Sequence, residues 1–342
     1  MRRAHIPSAA WLLSGGVAIA LLLLAVRTLS TQGQAGSFHD GDSNFYLVSA
    51  RSLFGDGAAL RKLAGSEIPY HYGRVGFPLA AWVLALGQPM LAGWSLIVVY
   101  LGSMAAIPGV AAMLLAEYQV PPMRAAFVML TPGLLLVTGL VYAEALQIAL
   151  ILLACLFEVR QQRRWALVTI AFAILVKETS ILALLPWVAL ALKRRDPRQL
   201  ASCAAVLLPY ALWAVWVRVR IGEFPFLAHT QSRINALRPP FVGFRDAVRA
   251  ASPNHTFIVT ITLLTFALGA IASWAARRYW IGPITAAFSA LILCFGPSAL
   301  YYVVENLRLL SLPTVLAILC LVVACSTERR VDARRKVAHS VV

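Results

Sequence analysis

Charged side chains are scarce in this sequence. They make up 13% of its 342 residues, about half of the roughly 25% that is usual in a soluble domain. Apolar residues make up 60% instead, which is more than a globule of this length can bury in one core. Lipid must therefore solvate most of these side chains. This composition excludes a cytosolic enzyme, a secreted disulfide scaffold and a disordered chain.

Cysteine is also rare, with five residues in the chain. All five lie within or at the end of apolar runs, so the sequence predicts no exoplasmic disulfide framework. Cys320 and Cys325 lack the partner ligands of a metal site, and we expect no metal. The net charge of +16 does not indicate nucleic acid as a partner, because the basic residues are spread over short loops without interleaved aromatic residues.

The apolar runs predict an all-α polytopic membrane protein with about ten transmembrane helices. Several runs are shorter than the ~20 residues that a perpendicular helix needs. Two long runs broken by polar residues are each interpreted as two helices joined by a tight turn. The run 75–88 is too short to span, and we expect it to lie in or dip into the interface. The predicted spans are approximately 9–27, 90–116, 122–139, 144–159, 164–178, 181–192, 199–219, 256–276, 280–302 and 309–325.

The basic residues orient this topology. With a cytoplasmic N-terminus, the ten spans place more than half of the 30 basic residues and about a third of the 14 acidic residues on the cytoplasmic side. The connecting loops on that side are short, which is where the positive-inside rule applies. Counting 75–88 as a span would move the basic loops near 160–164 and 193–195 to the outside. We therefore predict a multi-pass protein with both termini in the cytoplasm.

The sequence predicts one transmembrane domain over 1–325 and a basic cytoplasmic tail over 326–342. Two long segments lie on the exoplasmic side of this topology: 28–89, which we expect to contain interfacial helices, and 220–255. A cleaved signal peptide is the alternative to a membrane anchor at the N-terminus. Arg27 and the long apolar stretch before it favour the uncleaved anchor.

Polar side chains collect at the exoplasmic ends of the spans, and ionisable residues at such depths are expensive and usually functional. The first exoplasmic segment carries Asp40 and Asp42, and later His71 and Arg74 among aromatic residues. The topology, fixed by the basic loops alone, brings four separate segments to one outer face. This convergence is the strongest functional signal in the sequence. The charged residues that interrupt or flank later apolar runs are Glu144, Lys177-Glu178 and Glu305-Asn306-Leu307-Arg308.

Each of these residues also has a structural explanation. Asp42 could cap a helix, and Glu144 could be an N-terminal acid favoured by the helix dipole. Lys177 and Glu178 could form structural ion pairs, and Arg308 could snorkel to the interface. A purely structural explanation would have to recur in four segments on one face, which favours a shared chemical role.

Carboxylates and cations at the outer end of a helical bundle suit transfer of a sugar from a polyprenyl-phosphate donor. The lipid tail needs a groove in the membrane, and the leaving phosphate needs Lys or Arg to stabilise its developing charge. The acceptor hydroxyl needs a carboxylate base within hydrogen-bond reach. In-line displacement with one such base would invert the anomeric centre.

The arrangement resembles the GT-C class of polytopic glycosyltransferases, especially its small bacterial mannosyltransferase-like and PIG-V-like members. The resemblance covers roughly residues 9–325. Lys177 stands where arginine is commoner in that family, and alanines replace the hydroxyl residues around Glu144. The four stretches that carry the resemblance are an Asp-x-x-x-Tyr pattern from Asp42 to Tyr46, the stretch from Pro69-Tyr70-His71-Tyr72-Gly73-Arg74 to Trp82, Tyr142-Ala143-Glu144-Ala145-Leu146, and Val176-Lys177-Glu178-Thr179.

The resemblance implies an exoplasmic active site in a bacterial plasma membrane and a polyprenyl-phosphate-linked sugar as donor, without a tightly bound cofactor. It implies a catalytic Asp in the first outer loop, with Asp42 favoured by spacing and Asp40 as the alternative. A large exoplasmic domain that many relatives use to hold the acceptor does not follow the last predicted span, so we expect a small or lipid-linked glycan or glycolipid acceptor. The residues expected to bind substrate are Lys177, Glu178, Glu144, Arg308, Asn306, Arg74, His71 and Tyr46.

Two other functions use similar residues. A transporter or flippase of a lipid-linked sugar would also need a groove, cations and acids, and such folds often contain paired halves and broken helices. Helix breakers occur at Thr131-Pro132-Gly133 and Gly296-Pro297, but the halves do not otherwise match. A non-catalytic membrane assembly subunit is the third hypothesis, and it predicts charged side chains that do not share a cavity.

Overall fold

A computed structural model describes residues 8–36, 41–54, 68–137, 141–225, 237–250 and 253–340. This part of the chain contains helices and no β-strand, with one isolated antiparallel bridge between Leu237 and Phe295. The predicted all-α class is confirmed for these residues. The α-helices, numbered α1 to α16 along the chain, are Ser8–Gly36, Gly41–Arg51, Ile68–Gly73, Gly76–Leu84, Ala92–Glu117, Pro132–Val137, Glu144–Val159, Arg163–Val176, Leu185–Arg194, Pro197–Ala205, Leu208–Ile221, Val242–Arg249, Pro253–Ala275, Ile281–Ile292, Pro297–Tyr301 and Val303–Ser340.

Four helical segments of the described chain are long and apolar enough to cross a membrane. This finding is compatible with a membrane protein, although it does not confirm the ten predicted spans. Several of the other predicted spans coincide with shorter or interrupted helices. The four long apolar segments are Pro89–Glu117, Pro197–Ile221, Asn254–Ala275 and Glu305–Ser326.

The predicted span 122–139 is not one continuous α-helix. A 3₁₀ helix occupies Pro122–Leu130, and α6 begins at Pro132. Proline lacks a backbone N–H and fixes φ, so it starts a helix readily but disrupts one that would continue through it. A second 3₁₀ helix, Glu178–Leu184, separates α8 from α9. The second interruption begins at Glu178, directly after Lys177, so it carries two residues of the predicted site.

The main core lies among the long helices. α5 packs against α1 and α7, and α7 packs against α8. α16 packs against α6, α13 and α14. Buried side chains such as Met104, Ile151, Ile174 and Leu316 fill the space between these helices. The core therefore fixes the ends of α7, α8 and α16 relative to one another, and these ends carry the predicted site.

Short helices of the first predicted exoplasmic segment pack on the end of this core. α2 contacts α3, α4 and α5, and the buried Tyr46 ring meets Phe77 edge to face with centroids 5.3 Å apart. The indole N–H of Trp213 donates to the carbonyl of Tyr72 over 2.8 Å, which ties α3 to α11. Most of the predicted short run 75–88 forms α4, and the exposed Leu86 follows the end of this helix.

Two glycines allow backbones to approach directly behind charged residues. A Cβ atom on Gly76 would lie 2.5 Å from the backbone nitrogen of Val176, next to Lys177. A Cβ atom on Gly133 would lie 2.2 Å from the carbonyl oxygen of Leu307, next to Arg308. Real Cβ atoms do not come this close to backbone atoms, so glycine is needed at both positions. Because of these close contacts, α4 and α6 help to position the segments that carry Lys177 and Arg308.

We expect Gly76→Ala and Gly133→Ala each to destabilise the protein by ~1–3 kcal/mol, the usual effect of overpacking a filled site. The measurement is the thermal unfolding midpoint of the purified protein in detergent. Gly102→Ala is the matched control, because a Cβ there meets nothing within 4 Å and alanine favours the helix. Equal midpoints for all three variants would show that the close approaches do not constrain the fold.

Candidate functional site

The charged residues predicted to share one face form a single cluster. Each lies near the end or at an interruption of a helix, where the chain leaves regular structure and side chains from different helices can meet. Asp42 and Glu144 lie in the first turns of α2 and α7, where the helix dipole favours a negative charge. Lys177 has extended backbone that ends α8. The predicted convergence of α2, α7, the α8 end and α16 is therefore present in the structure.

Arg308 lies at the centre of the cluster and is 6% exposed. Its Nη1 atom lies 2.8 Å from Oδ2 of Asp42, and its Nε atom lies 3.2 Å from Oε1 of Glu144. Its Nη2 atom lies 2.9 Å from Oε2 of Glu305, one helical turn earlier. The guanidinium also covers the ring of Tyr142, with Cζ 4.6 Å from the centroid. One guanidinium thus holds carboxylates from α2, α7 and α16 by the attraction of opposite charges at short range, because its Nε and Nη1 atoms form no well-aligned hydrogen bond with the described residues.

Glu144 is shared between two cations. The Nζ atom of Lys177 donates to Oε1 of Glu144 over 2.8 Å, and Arg308 approaches the same oxygen. The other carboxylate oxygen, Oε2, is buried and has no hydrogen-bond partner among the described residues. A buried acceptor without a partner is costly, so this oxygen is available to a donor group on a ligand.

Arg74 and Glu178 form a second pair beside the first. The Nε and Nη2 atoms of Arg74 donate to the two oxygens of Glu178 over 3.1 Å and 2.9 Å. This bidentate geometry is the strongest arrangement for an arginine and a carboxylate. Arg74 also contacts Tyr70, with Cζ 4.2 Å above the ring.

His71 and Asp42 lie together next to Arg308. Nδ1 of His71 is 3.5 Å from Oδ1 of Asp42, and the imidazole stacks on Phe45 with centroids 4.0 Å apart. Burial lowers the pKa of His71 to about 4, although the Asp42 carboxylate opposes this shift, so the imidazole is neutral at pH 7. Burial would raise the pKa of Asp42, but Arg308, with His71 and Arg74, lowers it well below its usual range.

A cavity of about 250 Å³ opens beside the two groups of ion pairs. Its lining contains three cations, Arg74, Lys177 and Arg308, together with Glu144 and Glu178. Most of the other lining residues are apolar. The structure therefore provides a compartment that combines buried ion pairs with hydrocarbon side chains. The apolar part of the lining includes Phe288, Leu291, Phe295, Leu309 and Leu312.

Several predicted site residues do not line this cavity. Asp42 contacts the cavity residue Arg308, His71 contacts the cavity residue Tyr70, and Tyr46 is buried against Phe77. Asn306 donates to Oγ1 of Thr262 and to the carbonyl of Ala299 over 2.8 Å and 2.9 Å, which gives it a packing role between helices. Asp40, the alternative base, lies outside the described residues. In the part of the chain that is described, no group of three or more His, Cys, Asp or Glu residues is placed to hold a metal.

The structure adds residues that sequence reasoning did not select. Gln147 lines the cavity, and its amide donates to Oγ of Ser180 over 2.9 Å and to Oγ1 of Thr179 over 3.2 Å. Gln147 lies three residues after Glu144 on a helix, and this spacing places both on one face. Tyr142, whose ring lies under the Arg308 guanidinium, was not selected either. Glu305, one of the charged residues expected at this face, pairs with Arg308 from position i−3. Helical spacing from Glu144 was the signal that could have found Gln147.

Comparisons of the chain with protein-family models, with curated proteins and with solved structures give no match. The resemblance to GT-C glycosyltransferases therefore stays a prediction carried by the four motifs. The geometry of the cluster and the cavity is independent of that resemblance.

We expect Arg308→Leu to destabilise the protein by ~3–5 kcal/mol, because it leaves three carboxylates without their shared cation. The deficit should shrink as the pH falls from about 7 to 5. Burial is the largest influence on the pKa of Asp42 and raises it, whereas Arg308 is the largest influence that lowers it. We therefore expect the Asp42 pKa in the variant to rise above its unfolded value, and protonation below that pKa then restores stability. In the wild-type protein the pKa is lowered, so stability from Asp42 is instead lost at acidic pH.

The measurement is the unfolding midpoint of each variant across this pH range. Arg245→Leu is the control, because Arg245 is 56% exposed and pairs only with its neighbour Asp246 among the contacts found. Its effect should stay within ~0.5 kcal/mol at every pH. If Arg308→Leu lowered the unfolding midpoint only slightly, or by the same amount at every pH, the result would contradict the central role of the guanidinium.

Proposed function

We propose that this chain is a membrane glycosyltransferase that moves a sugar, such as mannose, from a polyprenyl-phosphate donor to a small or lipid-linked acceptor. The observation that carries the proposal is the cavity itself. Its lining combines three cations, Arg74, Lys177 and Arg308, with apolar side chains such as Phe288 and Leu291. A polyprenyl-phosphate sugar likewise combines an anionic head with a hydrocarbon chain.

The size of the cavity supports binding of the donor head. About 250 Å³ is at or below the lower end of the ~300–1,000 Å³ usual for ligand pockets. The phosphate and sugar occupy such a volume, and the long tail lies outside it along apolar helix surfaces. Lys177 and Arg308 are placed to stabilise charge on the leaving phosphate. The free oxygen of Glu144 can accept a hydrogen bond from a sugar hydroxyl.

In the proposed reaction Asp42 is the base. The acceptor hydroxyl gives its proton to the Asp42 carboxylate while its oxygen bonds to the anomeric carbon. The bond from that carbon to the phosphate oxygen breaks, and polyprenyl phosphate leaves with the electron pair. One displacement of this kind inverts the anomeric centre. Arg308 contacts Asp42 and also lines the cavity. In the proposed complex the base and the phosphate therefore contact the same guanidinium.

The topology proposed with this function has ten spans, cytoplasmic termini and an exoplasmic site. α2, α3 and α4 then lie at the outer surface of a bacterial plasma membrane as interfacial helices. Exposed apolar residues at the end of α4, including Val83 and Leu86, suit contact with lipid at that depth. The basic loops between later helices lie on the opposite side.

A flippase of a lipid-linked sugar is the second candidate. The observation that favours it is the interruption between α8 and α9, where Lys177 and Glu178 carry charges into the cavity. Broken helices with charged or polar groups at the break are common in transporters. The two functions differ in their product, since only the transferase makes a new glycosidic bond.

We expect Asp42→Asn to lower sugar transfer at least ~tenfold, since loss of a general base usually costs more than this. The assay uses purified protein in liposomes with a radiolabelled polyprenyl-phosphate sugar, and chromatography separates the glycosylated product from the donor. Asp40→Asn is measured separately, and Asp246→Asn is the matched control, because this partly exposed carboxylate of α12 does not line the cavity.

Full activity in both Asp42→Asn and Asp40→Asn would show that neither is the base. Label that crosses the bilayer without forming a new glycosidic bond would favour the flippase. A wild-type protein that does neither would favour the non-catalytic subunit.

A further inference from the structure

Each cation of the cavity already has a carboxylate partner. Arg308 contacts three carboxylates, Lys177 contacts Glu144, and Arg74 is held by Glu178. An arriving anion therefore does not meet a free positive site. It has to share cations that are already neutralised, in surroundings where most of the charged side chains are almost completely buried.

The charges of the described cluster do not balance. Four carboxylates face three cations, so the cluster has one net negative charge while His71 is neutral. A phosphodiester adds another negative charge. Buried charges of one sign are strongly unfavourable unless a counter-charge or a proton accompanies them. The four carboxylates are Asp42, Glu144, Glu178 and Glu305.

His71 is placed to accept that proton. It is 7% exposed and faces Asp42 of α2, and its ring meets Tyr70 within α3 and Phe45 of α2. The other charged groups that act on it are Arg74 after α3, Arg308 of α16 and Glu178 of the 3₁₀ helix.

These neighbours also decide what an anion would do to His71. Its pKa of about 4 is the combined result of burial, Arg74 and Arg308, which lower it, and of Asp42 and Glu178, which raise it. An anion that pairs with Arg74 and Arg308 cancels their effect on the imidazole, while Asp42 remains beside it. The pKa of His71 then rises toward neutrality, so proton binding and anion binding favour each other.

We infer that binding of an anionic phosphodiester in this cavity is coupled to uptake of one proton by His71. The inference rests on the proposed function, because it takes the donor head as the anion. The proton moves from solvent to a ring nitrogen of His71, and no covalent bond to the ligand forms or breaks. Asp42 then pairs with the protonated His71 instead of Arg308. The guanidinium of Arg308 is thereby free to pair with the phosphate.

The test measures proton uptake directly. The full chain in lipid nanodiscs is titrated with decyl phosphoryl-mannose by calorimetry at about pH 6, in two buffers with different ionisation enthalpies. A phosphodiester keeps its single charge across this range, so it contributes no protons. The expected result is uptake of about one proton per binding event. Across the pH range of uptake, Kd should fall ~tenfold for each unit of decrease in pH.

Variants identify the residue that takes up the proton. His71→Gln should bind the diester with close to zero proton uptake, whereas His255→Gln should behave as wild type. His255 is a matched control because it is also partly buried and stacked on a ring, that of Tyr301, but it does not line the cavity. Glu305→Gln tests the most exposed carboxylate of the cluster as a competing acceptor. It also removes one negative charge of the cluster, so it should reduce the uptake only in part, whereas His71→Gln should abolish it.

The outcomes separate this inference from the proposed function. Diester binding without proton uptake in the wild-type protein overturns the coupling and leaves the donor assignment intact. Unchanged uptake in His71→Gln, or uptake lost only in Glu305→Gln, overturns the role of His71. The pH dependence of wild-type Kd decides the coupling even when a variant fails to fold. No binding of the diester overturns both proposals, and dimethyl phosphate then shows whether the cavity accepts the phosphate group alone.

Discussion

The buried guanidinium of Arg308 is the interaction on which the rest of the site depends. It contacts Asp42, Glu144 and Glu305 and covers the ring of Tyr142. A charge removed from solvent is tolerated only when partners surround it, so each partner constrains the helix that carries it. The ends of α2, α7 and α16 are therefore fixed relative to one another by electrostatics as well as by apolar packing. The cavity depends on the same constraint, because Arg308 and its partner Glu144 both line it.

Much of the cluster could be predicted from sequence because charge is scarce in an apolar chain. Glu144, Lys177 and Arg308 were selected as ionisable residues beside apolar runs, and the basic loops placed them on the same side as Asp42. That reasoning needs only hydropathy and the sign of charges. The all-α class followed from the same apolar runs. The sequence could not show which acids pair with which bases, because pairing depends on helix rotation and on close approaches such as that of Gly133.

Other expectations failed or stayed open for physical reasons. The substrate-binding role expected of Asn306 stays a prediction. Neighbours in a helix point in different directions, and Asn306 donates to Thr262 and does not line the cavity beside Arg308. The segment 122–139 was expected to be one helix because it is apolar, but its prolines divide it. The ten spans stay a prediction, since only four helical segments of the described chain meet the length and composition needed to cross a membrane.

The separation of these ion partners along the chain also imposes an order on biosynthesis. Asp42 is made long before Arg308, because a ribosome makes the chain from its N-terminus. Glu144 can pair with Lys177 before α16 is made, whereas Asp42 lacks the arginine that it contacts in the finished protein and must stay hydrated or protonated. Docking of the last long helix is then the step that completes the site. A chain interrupted before that helix keeps Asp42 without its arginine partner.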